Sequence, residues 1–398
     1  MLNRHPDRPL QLKARWLFPV TSAPIENGVL EIQDGRITAA GVCDRGQAID
    51  LGNVGLIPGL VNAHTHLEFS NLTQPVQPAE PFTAWIRALV ANRRSQPAFG
   101  NVIQSGLAEC AACGTTSVGE IATQDWPVET YRNADADCVV FREIIGLRPE
   151  RMPAQLEIAQ KWLAAPVEPS SNLIRGLSPH APYSVHPELY QRLVDLAVQH
   201  QAPVAVHLAE TRSELEFLDR GTGEFVEMLQ QFGAWDEAVI PKGTRPLDYL
   251  RPLAELSRSL VIHGNYLTEE ELGYLREIPS ASVVFCPRTH AFFGHTTHPW
   301  LRMLEAGINV AIGTDSRGSN PDLNVWEELR FLWSHFPAVN PATILGLGTL
   351  AGAKALGLDR ESGSLEPGKR AAFAVVKFGD TTATDPYQLL FSGAAMHL

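Results

Sequence analysis

Eight short apolar runs, each followed by a longer stretch of helical character, constrain the fold of this 398-residue chain more than any other feature. Runs such as Pro203-Val204-Ala205-Val206-His207 and Val283-Val284-Phe285-Cys286 are apolar at successive positions. Strands buried on both faces of a parallel sheet read this way. Strand and helix patterns alternate between residues 58 and 360, which predicts an α/β fold, a TIM-type (β/α)8 barrel. The strands are expected to end near His64, Glu120, Glu143, Ser178, His207, His263, Cys286 and Thr314. Barrels of this kind place their active sites at the C-terminal ends of the strands. Three His, Asp315 and several Glu fall at or just after those ends.

Two flanks lie outside the barrel. Residues 1–57 contain Asp34-Gly35, the signature of a tight hairpin turn. Residues 361–398 contain a second apolar run, Ala371-Ala372-Phe373-Ala374-Val375-Val376. The two flanks are expected to pair into one small β-sandwich domain built from both chain ends, beside a catalytic domain over 58–360.

Composition narrows the classes of partner. The net charge of −12 argues against nonspecific nucleic-acid binding, which rests on Lys and Arg neutralising phosphates. It suits a small neutral or cationic substrate. No apolar stretch has the length of a membrane span, and the first residues lack a signal-peptide core. The expectation is a soluble cytoplasmic protein, compatible with a homo-oligomer. The five Cys include Cys110-x-x-Cys113, in an Ala-rich helical stretch. Two packed core thiols are the expected reading there, since no second such pair completes a zinc site.

His64 and His66 sit at i and i+2 at the end of the first strand, so both imidazoles point to one face. Neutral imidazoles presented together are a metal-binding arrangement. His207, ending the fifth strand, is the natural third ligand. Asp315 follows the eighth strand, which a barrel closes onto the first, so it is expected beside His64 and His66. The other reading of Asp315 is a helix N-cap. Glu210, three residues beyond His207, is placed to meet a water or substrate without ligating. His263 ends the sixth strand, either as a further ligand or, the preferred reading, as an acid/base beside the water. Three His and one Asp leave an open position for water, as a catalytic metal requires. One divalent ion is expected, with zinc the default and Fe(II) or Mn(II) also compatible.

With these residues in hand, the chain resembles the amidohydrolase superfamily over essentially its whole length. Pro58-Gly59-Leu60-Val61-Asn62-Ala63-His64-Thr65-His66 is similar to its first-strand signature, and Gly363-Ser364-Leu365-Glu366-Pro367-Gly368-Lys369 to the segment that re-enters its sandwich. His207-x-x-Glu210 resembles the single-metal aminohydrolase branch of cytosine, S-adenosylhomocysteine and triazine hydrolases. The resemblance implies that His64, His66, His207 and Asp315 bind the metal, and that Asp315 also takes a proton from water. It implies that Glu210 carries that proton to a ring nitrogen and that His263 orients and polarises the hydroxide. The fourth strand has no Lys of the kind that two-metal members carboxylate, which favours one ion. His180, in Pro179-His180-Ala181-Pro182-Tyr183, matches a substrate-contacting segment. Asn320 either contacts substrate or organises a turn. Arg288 and His290, with His295, replace a Ser-Asn pair of many relatives and are expected on the active-site rim. Trp85 reads as core or lid packing before a stacking residue, and Glu143 as a partner in a barrel ion pair. Relatives usually continue further after Val375-Val376, so the small domain is expected to be short or incomplete.

The function expected from these residues is hydrolytic deamination of an amino-substituted heterocycle, with a 6-aminopurine nucleoside such as aminodeoxyfutalosine as the specific candidate. The alternative is another C–N or C–Cl bond, as in a formimino amino acid iminohydrolase, a cyclic amidohydrolase or a triazine dehalogenase; an acidic substrate would call on Arg288 and Arg317. A non-catalytic scaffold is the remote alternative, because the full ligand set is present.

Overall fold

The computed structural model describes residues 9–42, 48–95, 100–124, 126–132, 134–166, 172–379 and 383–396. The first eight residues, read above for a leader, lie outside them, as do Cys43 and the last two residues.

Eight strands lie side by side in chain order in one sheet. They are β1 (Leu60–Thr65), β2 (Thr115–Ala122), β3 (Asp137–Ile144), β4 (Leu173–Pro179), β5 (Val204–Leu208), β6 (Ser259–His263), β7 (Ala281–Phe285) and β8 (Asn309–Ile312). The pairs from β3 through β8 run parallel. Each expected strand end falls within two residues of an observed one. β1, β2, β5, β6 and β7 are buried at every position, and β5, β6 and β7 accordingly read as largely apolar runs rather than alternating ones.

The sheet returns on itself where β8 meets β1. Thr65 and Asp315 form a parallel bridge, and the N–H groups of Thr314 and Asp315 both donate to the His64 carbonyl at 3.1 Å. Gly313 makes this approach possible. A Cβ at Gly313 would stand 2.8 Å from His64 Cβ and 2.9 Å from the His64 carbonyl oxygen. Gly313→Ala is therefore expected to cost about 1–3 kcal/mol, because the obstacle is backbone and cannot rotate away. Urea unfolding of the variant checks this, and a loss under about 0.5 kcal/mol would mean that the seam is loose.

The chain divides into two compact units, residues 63–107 with 118–323, and residues 1–62 with 108–117 and 324–398. The first holds the C-terminal strand ends and every residue of the candidate site. The second holds two small sheets. One is four-stranded, in the order Arg36–Gly41, Val29–Gln33, Leu10–Lys13, Ile49–Asp50. The other is five-stranded, in the order Ala394–Met396, Phe373–Lys377, Val54–Pro58, Trp16–Leu17, Ile25–Glu26. Leu12, Leu30 and Ile37 of the first sheet share one apolar cluster with Leu17, Leu56 and Val375 of the second. Asp34 and Gly35 turn the hairpin with φ of 50° and 75°, the left-handed pair that a tight two-residue turn demands. Ala394–Met396 pairs antiparallel with Phe373–Lys377, so the segment after Val375-Val376 does supply a further strand.

Candidate active site

Alternation along β1 sends Asn62, His64 and, just beyond the strand, His66 to one face. On β5 the same rule selects Ala205 and His207, and on β6 Val261 and His263. Register sets Leu208 opposite His263. His66 Nε2 and His207 Nε2 stand 3.4 Å apart, and His64 Nε2 lies 3.4 Å from Asp315 Oδ1. Asp315 Oδ1 is also 3.6 Å from His66 Nε2. Donor atoms of His64, His66 and His207 lie within 4.8 Å of one another, as do those of His64, His263 and Asp315. The structure thus brings together all the residues expected to hold a metal.

These residues fit a divalent cation. His207 Nδ1 stands 3.0 Å from the His180 carbonyl, which takes the ring proton there and leaves the Nε2 lone pair for the site. Burial holds His66 and His207 well below the usual imidazole range. His64 Nδ1 and His66 Nδ1 are buried without a hydrogen bond among the described residues. Neutral imidazoles packed tip to tip beside a carboxylate are a donor set for a cation, and a poor arrangement without one.

Asp315 is built to stay ionised. Burial alone would raise it, but His64, His66 and His263 hold it well below the usual carboxylate range. Ser319 Oγ donates to Asp315 Oδ2 at 2.6 Å and fixes the rotamer. Glu210 has the opposite setting. Burial, reinforced by Asp315 and Glu214, pushes it well above the usual carboxylate range. Glu210 Oε1 lies 3.4 Å from His263 Nε2. Burial also lowers His263 to about 3, so that ring is neutral.

The loop carrying Glu210 is held from its own helix. Thr211 caps helix Arg212–Arg220 by accepting from Glu214 N at 3.0 Å. The Glu214 carboxylate reaches back to Ala209 N at 2.9 Å and Glu210 N at 2.8 Å. These bonds hold Ala209 at a left-handed φ of 52°; His263 and Asp315 share that region at 66° and 56°. Three non-glycine residues in this region at one site are strain held by a rigid surround. Glu214 was not among the residues singled out from sequence, although Thr211-x-x-Glu214 is a capping-box pattern that could have found it.

A cavity of about 420 Å³ opens over these residues. His66, Glu143, His180, His207, Glu210, His263 and Asp315 form its polar floor, and Phe82, Trp85, Leu89, Val90, Leu147 and Phe232 contribute to its apolar walls. Trp85 packs against Phe293 and donates from Nε1 to the Gly318 carbonyl at 3.0 Å. Arg94, Arg148 and Arg151 lie around the outer part, all exposed. His180 is half-buried, with its Nδ1 2.6 Å from Ser184 Oγ.

The remaining candidates stand elsewhere. Arg288 makes a two-point ion pair with Asp322, at 2.5 and 3.1 Å. Asn320 is fully buried and donates from Nδ2 to the Thr314 carbonyl at 2.9 Å. His290 packs against His295 and His298 behind Phe285. None of the three is among the residues lining the cavity. His298, not singled out from sequence, lies with Nε2 2.8 Å from the His263 carbonyl and so braces that strained residue. Burial lowers His298 to about 3. Between pH ~6.5 and ~3 the unfolded chain therefore protonates it and the folded chain does not, so its stabilising contribution is present above ~6.5 and lost as pH falls. His298→Gln keeps a donor and cannot titrate. Its stability is expected to gain on the parent's by about 1.4 kcal/mol per pH unit below ~6.5. Urea unfolding at several pH values reads this directly, and parallel curves would mean that His298 titrates normally in the fold.

The sequence profile of the amidohydrolase family matches residues 56–395. The chain belongs to that family. This amidohydrolase is 30% identical over 384 residues to the 5-methylthioadenosine/S-adenosylhomocysteine deaminase of Moorella thermoacetica, covering 90% of this chain and 83% of the relative. It is 27% identical over 344 residues to the aminodeoxyfutalosine deaminase of Nitratiruptor, covering 83% and 82%. Its fold matches the Helicobacter pylori aminofutalosine deaminase, crystallised with methylthio-coformycin, with a TM-score of 0.84 at 24% identity and 97% coverage of both chains. A zinc-bound adenosine deaminase of Xanthomonas campestris aligns with a TM-score of 0.76 at 25% identity, over 98% of this amidohydrolase and 90% of that chain. No helix among the described residues is long and apolar enough to cross a membrane.

Proposed function

We propose that this amidohydrolase is a metal-dependent hydrolytic deaminase of 6-aminopurine nucleosides, holding one divalent ion, with zinc the first choice. The observation that carries this reading is the convergence of two buried carboxylates on one histidine cluster, Asp315 against His64 and His66 and Glu210 against His263. Two carboxylates in such opposed settings divide the work of base and acid. Asp315, held low, is placed to take a proton; Glu210, pushed up by burial, is placed to give one.

His64, His66, His207 and Asp315 would hold the ion. When bound, it supplies Lewis acidity that brings water's pKa toward neutrality. Asp315 Oδ accepts the proton of the attacking water. The Glu210 carboxyl delivers its proton to the ring nitrogen next to the amino-bearing carbon, which makes that carbon electrophilic. His263, neutral and 3.4 Å from Glu210, orients the water between the two carboxylates. The proton held by Asp315 then passes to the amino nitrogen, the C–N bond breaks to release ammonia, and the proton of the newly added hydroxyl returns to the Glu210 carboxylate as the carbonyl forms. The apolar walls exclude bulk water from this exchange.

The names of the relatives support the substrate class. The outer cavity supports a nucleoside with an extended tail, since Leu147 and Phe232 offer apolar surface and Arg148 and Arg151 offer cationic ends. Aminodeoxyfutalosine and S-adenosylhomocysteine therefore stand ahead of adenosine. The acidic-substrate alternative called on Arg288 and Arg317, but Arg288 is engaged by Asp322 and Arg317 donates to the carbonyls of Leu72 and Pro321.

Ammonia release by zinc-reconstituted protein tests the reading, across aminodeoxyfutalosine, S-adenosylhomocysteine, adenosine, guanine, cytosine and formimino-glutamate. Turnover of at least one 6-aminopurine nucleoside is expected. Silence on all of them with confirmed zinc occupancy would overturn it, and turnover of formimino-glutamate alone would move the reaction to an iminohydrolase.

A further inference from the structure

We infer that Asn265, two residues past the end of β6, is a positioning residue for Glu210: it ties the loop of the acid to the strand of His263, so that the two side chains keep one spacing. This role rests on the deaminase reading above and deepens it. The three residues after His263 donate to three successive carbonyls at and beyond the end of β5. Gly264 N donates to the Leu208 carbonyl at 3.1 Å, Tyr266 N to the Ala209 carbonyl at 3.0 Å and Asn265 Nδ2 to the Glu210 carbonyl at 2.9 Å. From the other side, the Glu214 carboxylate takes the N–H groups of Ala209 and Glu210. Every N–H and C=O of the Ala209-Glu210 dipeptide is thereby paired, the donors by its own helix and the acceptors by the loop after β6. The Arg212 guanidinium, over the Tyr266 ring at 4.7 Å, joins the same two elements once more.

Ala209 and His263 both hold a left-handed φ, and such backbone persists only where its surround fixes it from several directions. Two of the three donors after β6 are backbone N–H groups, which any residue but proline supplies. The third is a side chain, so the identity of residue 265 decides whether the Glu210 carbonyl is held. Asn265 is only 5% exposed, so its loss leaves that carbonyl without a ready replacement from water. Asn265 is not among the residues lining the cavity, and it therefore acts through Glu210 rather than on substrate. Its bond fixes the peptide from which the Glu210 carboxyl reaches toward the substrate and His263 Nε2. A displacement of about 1 Å at such a group costs up to about 100-fold in rate.

Asn265→Leu keeps the shape and removes the donor. Asn265→Asp keeps the shape and turns an oxygen to the carbonyl, and it serves if the Leu variant does not fold. Each substitution is made in the zinc-loaded parent and in the Glu210→Gln variant, and ammonia release from the best nucleoside of the panel is followed. In the parent, kcat is expected to fall about 10- to 100-fold, with KM and zinc content changed by less than about threefold. In Glu210→Gln protein the same substitution is expected to change the residual kcat by less than about threefold, because a residue that acts through Glu210 has nothing left to position. Equal losses in the two backgrounds would overturn the role, and so would a raised KM with kcat unchanged. Amide hydrogen exchange reads the same tie without turnover. The Ala209 and Glu210 amides are expected to exchange about tenfold faster in the Asn265 variants, with the amides of β1 unchanged. Exchange at the parent's rate would overturn the role. Faster exchange in a protein that deaminates nothing sinks the deaminase reading and keeps the tie between the two loops. Turnover with equal losses in both backgrounds sinks only the positioning role, and no turnover with unchanged exchange sinks both.

Discussion

Glu210→Gln is expected to lower kcat by about 10²–10⁴-fold while leaving the fold and nucleoside binding intact. Burial, with the charges of Asp315 and Glu214, pushes the carboxyl well above the usual carboxylate range and favours its protonated form. An amide of the same shape preserves packing and removes the transferable proton. The loop does not depend on that side chain. Glu214 holds it through the backbone N–H groups of Ala209 and Glu210, and Asn265 Nδ2 donates to the Glu210 carbonyl at 2.9 Å. Stability is therefore expected to change by no more than about 1 kcal/mol. Steady-state kinetics beside thermal unfolding decide the matter. A kcat within about tenfold of the parent would remove Glu210 from the proton path.

Stripping the divalent ion with a chelator is expected to abolish turnover and to lower the unfolding temperature together. His64, His66 and His207 lie within 4.8 Å of one another in a buried pocket, which a cation reconciles and nothing else described there does. Free metal at 100 times its Kd stabilises the folded state by about 2.7 kcal/mol through mass action alone. His66→Ala is expected to reproduce both losses and to hold less than stoichiometric zinc. Asp315→Asn is expected to separate them in part, weakening the metal while removing the base entirely. Elemental analysis, calorimetry and activity on the same samples check these outcomes. Full activity in protein shown to be metal-free would refute the metal requirement, and restoration by added zinc would support it.

Much of this site was legible along the chain because barrel chemistry is local to strand ends. His64 and His66 are two residues apart in an extended strand, so their common face follows from backbone geometry alone. His207 and His263 end apolar runs whose burial makes a polar terminus conspicuous. Asp315 needed one further step, the closure of the last strand onto the first, and the bridge between Thr65 and Asp315 is that closure. The hairpin at Asp34-Gly35 was legible for the same kind of reason, since few residues tolerate its dihedrals.

Other features depend on partners distant in sequence. Arg288 looked like a rim residue, but Asp322, 34 positions on, takes both of its terminal guanidinium nitrogens. His298 carries no pattern that singles it out, and only folding brings its Nε2 to the carbonyl of His263. Glu143 read as half of an ion pair, but Arg142 turns its Nη1 to carbonyls and leaves that carboxylate facing the cavity.

The sequence by itself determined the strand order, the candidate metal-ligand set and the position of Glu210, because each follows from periodicity, strand ends or short-range spacing. Tertiary structure alone decided which carboxylates are ionised and which polar groups lack partners. Those properties are set by burial and by charges from several strands meeting at one point, and no local pattern records such a sum.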